Sequence, residues 1–150
     1  MMTEDVFVSI TGLHAAPDEP EEEIEVIFPG KCRKTGDTWC IQYSEPVEGM
    51  DGEIRNLIKL RDHRVEVTKR GLTSTHMVFE EGKKNVTWYE TPLGSIELGI
   101  AATNVQIVED SDTIIAQAVY ALEINQTILA DCSLSISVRS KNTAAGRGCL

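Results

Sequence analysis

The residues of this chain best suited to bind a metal or move a proton are His14, His63 and His76, together with Cys32, Cys40, Cys132 and Cys149. Their spacing argues against both roles. No H-x-H, H-x-x-x-H or C-x-x-C pair occurs, so a zinc site would need ligands gathered from separate strands. There is no G-x-S-x-G turn for a nucleophilic serine, no phosphate-cradling glycine loop and no dinucleotide fingerprint. Catalysis would need polar groups assembled by the fold. Glu48, Arg70, His76 and Glu90 are the candidates, because a barrel mouth could collect them. Surface ion pairs and turn hydrogen bonds are the simpler role for all four. No residue is assigned as catalytic and none as a metal ligand.

A second set is better suited to binding. Ligand sites are mostly apolar with a few polar anchors, and Trp39, Tyr43, Met77, Phe79, Trp88, Tyr89 and Tyr120 could line a barrel. They could equally fill it, since eight strands enclose just enough room for side chains. A buried tyrosine hydroxyl needs a partner, which either a ligand or Asn56, Thr75 or Gln117 would supply. The candidate ligand-binding residues are therefore Trp39, Tyr43, Met77, Phe79, Tyr89 and Tyr120, with Arg70 as a charged anchor. The identity of any cofactor is unknown.

Charge restricts the partners. The 150 residues carry a formal net charge of −10, and six of the eight residues from Asp18 to Glu25 are carboxylates. No Lys/Arg stripe is visible along the chain to offset this, so no nucleic-acid partner is expected. The acidic run reads as a solvated loop, because it lacks the spaced Asp/Asn and Gly of a calcium loop. No leader and no apolar window long enough for a membrane span are visible, so no membrane association is expected. Unpaired cysteine spacing fits a reduced, cytoplasmic setting, with Cys132 as a buried small hydrophobe. Cys32 and Cys40 flank a turn at Thr35 to Asp37 and would approach each other if their strands pair. The oligomeric state is expected to be monomer or homodimer.

The elements that must position these residues are strands, because apolar residues recur with period two. The stretch from Gly94 to Arg139 is the clearest. Ile96, Leu98, Ile100 and Ala102 share one face, after which the apolar phase moves to Val105 and Ile107, so a β-bulge is expected near Thr103 or Asn104. Ile114 to Ile124 alternates without a break, which favours a strand over a helix capped at Ser111 or Asp112. The same phase continues through Ile128, Cys132 and Val138.

Earlier in the chain the pattern gives shorter strands. One ends at Gly12, a second spans Ile24 to Phe28 and is closed by Pro29-Gly30, and a third carries Trp39, Ile41 and Tyr43. Further strands carry Ile54 to Leu60, Val65 and Val67, Thr75 to Phe79, and Val86 to Thr91. Glu81 to Asn85 is expected as a hairpin loop, and Thr91-Pro92-Leu93-Gly94 as a type I turn. Short connections favour antiparallel neighbours. The expected fold is all-β, a closed antiparallel up-and-down barrel of about 8 to 10 strands with little or no helix. Residues 1–139 form one domain, and 140–150 are expected to be a disordered tail.

Glu48 to Gly52, Asn56 to Leu60, His76 to Thr87 and Tyr89 to Gly94, with Asp5 to Gly12, Tyr120 to Asn125 and Leu129 to Cys132, resemble the YwiB-like family of small bacterial proteins of unknown function. The resemblance spans about residues 4 to 139 and implies a lipocalin-like barrel of the calycin type. It brings no activity or catalytic residue with it. Fold-level analogy then suggests non-catalytic binding of a small, partly apolar molecule in the barrel. The alternative is a protein–protein interaction module using the acidic loop or a strand edge.

Overall fold

The computed structural model describes residues 4–15, 22–46, 49 and 51–141. Ten strands follow one another: β1 (Asp5–Ala15), β2 (Glu22–Thr35), β3 (Thr38–Pro46), β4 (Glu53–Arg61), β5 (Arg64–Gly71), β6 (Thr75–Glu80), β7 (Lys84–Thr91), β8 (Gly94–Glu109), β9 (Thr113–Ile124) and β10 (Thr127–Ser140). They form one antiparallel sheet in the order β6-β5-β4-β3-β2-β1-β10-β9-β8-β7. Chain neighbours other than β6 and β7 are sheet neighbours, and β1 pairs with β10. The result is a nearly closed up-and-down barrel.

Alternation sets which face is buried. Val6 and Val8 of β1, Ile41 of β3, Ile58 and Leu60 of β4, Val65 of β5, Val105 of β8, Ile114 of β9, and Ile136 and Val138 of β10 are almost wholly enclosed. Burying one such side chain is worth about 1.5–3 kcal/mol, and a register slip of one residue would turn a whole strand's set outward. The apolar pattern therefore fixes the register. The phase change in β8 is a bulge: pairing with β9 slips between Ala102 and Asn104, which returns Val105 to the interior.

Three expectations need correction. Pro29-Gly30 does not close the second strand, and β2 runs through to Thr35. Cys32 donates its N–H to the Glu4 carbonyl, so even-numbered residues of β2 address β1 and odd-numbered ones address β3. Pro29 has no N–H to give on the β3 side, and the β2–β3 ladder ends two residues before it, at Lys31–Gln42. Likewise the acidic run is not loop throughout, since Glu22 to Glu25 belong to β2 and pair with His14 to Thr11 of β1, which itself continues past Gly12 to Ala15.

The third correction concerns the seam. Glu81 to Asn85 does not join a hydrogen-bonded hairpin. β6 and β7 share the Ser74–Glu90 bridge, with N–H···O distances of 2.9 and 2.8 Å, while the turn itself bonds to β8: Gly82 N–H to the Ala102 carbonyl at 2.9 Å, and Ala102 N–H to the Lys83 carbonyl at 3.2 Å. The remaining acidic-loop residues, Glu48 and the segment 142–150 lie outside the described residues.

Candidate functional site

β4 and β5 present apolar residues inward and polar ones outward. Ile54, Asn56, Ile58 and Leu60 are buried, while Arg55, Lys59 and Arg61 project from the outer face. On β5, Val65 and Val67 are buried and Arg64, Glu66, Thr68 and Arg70 take the opposite phase. Antiparallel register then assembles three outer rows: Ser44–Arg55–Arg70, Lys31–Gln42–Leu57–Thr68–His76, and Cys40–Lys59–Glu66.

These rows floor a groove of about 1020 Å³ that also takes in Asp5, Pro29, Gly30, Tyr43, Asn56 and Lys141. It lies where β2 and β3 part beyond Lys31–Gln42. Gly30 permits the close approach there, since a Cβ at that position would sit 2.6 Å from the Gln42 carbonyl oxygen. A smaller cavity of about 320 Å³ continues past Lys59 and Glu66 to Thr38, Cys40, Arg61 and Arg64.

The groove is cationic in a chain whose net charge is negative. Lys31 is paired with Asp5, which holds the Asp5 carboxyl below its ordinary range and raises Lys31 through that hydrogen bond and charge. His76 Nε2 lies 3.0 Å from Glu66 Oε1, and the Arg64 guanidinium lies 3.7 Å from the other oxygen. Lys141 Nζ sits 5.0 Å from the centre of the Phe7 ring. Arg55, Lys59 and Arg70 have no carboxylate partner among the described residues.

The interior behind this wall turns polar at the same end. Lys69 Nζ donates to Asn56 Oδ1 at 2.9 Å and lies 3.3 Å from Glu45 Oε1. Thr75, opposite Lys69 in the ladder, is buried, and its hydroxyl has no hydrogen-bond partner among the described residues.

The aromatic candidates other than Trp88 take the inward phase. Tyr43 stacks on Phe28 with ring centres 4.9 Å apart, and burial, helped by Glu45, drives its phenol pKa up. Phe79 meets Tyr120 edge-on at 4.9 Å, and burial, with Cys132 nearby, raises Tyr120 likewise. Met77 packs against the core, and Trp39 Nε1 donates to Glu109 Oε1 at 2.6 Å under Lys34. Tyr89 faces Ile96 from the inner side of β7, whereas Trp88 is exposed on the outer side.

Arg70 alone of the seven is on the outer face, so the fold separates it from the aromatics. Of these, Tyr43 reaches the groove lining, at the β2–β3 divergence. Glu90 is engaged through its backbone in the seam, and His76 lies in the groove. Cys32 and Cys40 face opposite sides of the wall despite the pairing of their strands, and both are free thiols. Among the described residues no three His, Cys, Asp or Glu side chains gather as a metal site would require.

Sequence reasoning missed Arg55, Lys59 and Lys31. A signal was present: basic residues recur at every second or fourth position of β4 against an apolar phase, so they had to share an outer face.

Residues 8–136 match the family described as "Domain of unknown function (DUF1934)". Among solved structures, the crystal structure of the ywiB protein from Bacillus subtilis is similar, with a TM-score of 0.80 at 15% sequence identity, covering 91% of this chain and 92% of that one. At that identity the likeness speaks for the fold. No curated protein matches the chain.

Proposed function

The chain belongs to the family described as "Domain of unknown function (DUF1934)", and since that family brings a barrel with no assigned chemistry, we propose from the geometry that it binds a small, partly apolar molecule without catalysis. One observation carries the reading. The groove of about 1020 Å³ has the size of a small-molecule site, and it mixes the apolar surface of Leu57 and Pro29 with convergent polar groups. The binding surface is the outer wall at the β2–β3 divergence, with Tyr43 joining it from the interior. Free cysteines support a reducing, cytoplasmic setting.

Thermal-shift screening against a metabolite library tests the proposal, because a ligand that binds only the folded state raises the melting temperature. Stabilising compounds whose contacts map to Gln42, Leu57 and Thr68 are expected. Binding confined to another surface would overturn it.

A second reading, the protein–protein interaction module, is supported by Val86 and Trp88, each 58% exposed on the outer face of β7 beside the seam. Trp88→Ser would then weaken copurification of a protein partner while leaving ligand-induced stabilisation intact.

A further inference from the structure

Arg55 and Arg70 are cross-strand partners on the outer face of β4 and β5. Side chains so placed start about 4.5–5.5 Å apart at Cβ, and like charges directly opposite each other are destabilising. Neither guanidinium has a carboxylate partner among the described residues, although the chain carries 24 acidic residues against 14 basic ones. Ser44, the other ladder neighbour of Arg55, adds a hydroxyl to the same row. We infer that this row is an anion-binding fork and that the ligand of the groove is a phosphomonoester.

This rests on the small-molecule reading above and deepens it. Guanidinium groups present planar pairs of N–H donors that match phosphate oxygens, so two of them facing one another enclose a phosphate as an ion-pair partner each lacks. Leu57 stands in the next outer row, so the body of the ester lies over its apolar side chain once its head is held. Lys59 stands four residues further along β4, about 13 Å from Arg55, and limits the length of a ligand with one charged end.

The test is a titration of the full-length, 15N-labelled chain with 1-naphthyl phosphate and with 1-naphthol, followed by NMR. Wild type is compared with R55Q, R70Q and, as a remote exposed control, K83Q. The phosphate is expected to bind at least tenfold more tightly than the alcohol, shifting the amides of Ser44, Arg55 and Arg70. R55Q and R70Q should each erase most of that preference and K83Q should not. Free R70Q should also melt above wild type, because the like-charge pair is relieved, a result that general damage to the fold would not produce. Equal binding of both compounds, unchanged in R55Q and R70Q, would overturn the anion fork and leave the small-molecule reading standing. If neither compound perturbs the groove at millimolar concentration, that reading fails and the fork with it.

Discussion

Glu81 and Val105 are joined across the end of the barrel: Glu81 Oε1 accepts the Val105 backbone N–H at 3.0 Å. The Val105 carbonyl is taken as well, by the Nδ1–H of His63 at 2.8 Å. Both contacts follow from where β7 stops: the β7–β8 ladder ends at Lys84–Ala101, and Val105 is wholly buried, so side chains from the β6–β7 turn and the β4–β5 hairpin cap the groups that the sheet leaves free.

Glu81→Ala is therefore expected to destabilise the protein by about 1–3 kcal/mol, the cost of leaving a buried donor unpaired. Glu81→Gln keeps an acceptor oxygen at the same place and should lose less than half as much. Urea denaturation would measure both. Amide exchange at Val105 should accelerate in the alanine variant ahead of the rest of β8, and equal losses for the two variants would show that the carboxylate acts in some other way.

Gly30→Ala should cost about 1–3 kcal/mol, within the range for forcing atoms into a packed site. The added methyl would meet the Gln42 carbonyl oxygen at 2.6 Å and the Val8 and Tyr43 side chains at 3.2 and 3.3 Å. Gly12→Ala is the matched comparison, since nothing lies within 4 Å of its Cβ position. It should be neutral or slightly stabilising through the unfolded chain. A melting temperature lowered only by the first substitution would place the constraint at the β2–β3 divergence.

The two glycines mark what could and could not be read from the chain. The bulge near Thr103 was legible because it shifts the apolar phase by one residue, and that shift is a property of the sequence itself. The passage of β2 through Pro29-Gly30 was not. A proline ends a strand only when its missing N–H is required, and whether β3 lies alongside at residue 29 is a tertiary fact. The seam was hidden for a similar reason. The turn at Gly82 has hairpin chemistry, yet its backbone groups bond to Ala102 on β8. Charge at the groove was obscured by averaging: a net −10 describes the chain, while alternate positions on β4 and β5 sort the arginines onto one face. The same alternation turns Trp39, Tyr43, Phe79, Tyr89 and Tyr120 inward and sends Trp88 and Arg70 the opposite way.

Thr75→Val should stabilise the protein by about 1 kcal/mol. The Thr75 hydroxyl is buried with no hydrogen-bond partner among the described residues, and an unpaired polar group costs free energy that an isosteric methyl avoids. Lys69 opposite it is already engaged by Asn56 and Glu45, so the substitution breaks no ion pair. Thermal denaturation decides the sign, and a loss of stability would mean that the hydroxyl has a partner in solution.

Stability should decline as the solution becomes alkaline, and Cys32 is one identifiable cause. Its side chain is 5% exposed on the inner face of β2, and burial, reinforced by Cys40, pushes the thiol pKa from 9.0 up to about 11. In the unfolded chain the thiol ionises first, so between those two values the folded state holds more protons than the unfolded state, and stability falls with rising pH. The contribution is fully present below pH 9 and lost as the pH passes through about 11. A shift of this size corresponds to an upper bound of about 3 kcal/mol. Tyr43 and Tyr120, both raised by burial, extend the decline above pH 10. Cys32→Ala costs stability at every pH because it leaves a cavity, but its loss relative to wild type should shrink from pH 9 to pH 11. Urea midpoints measured across that range would show the two curves converging, and parallel curves would assign the alkaline decline to Cys132, also raised by burial, and the tyrosines instead.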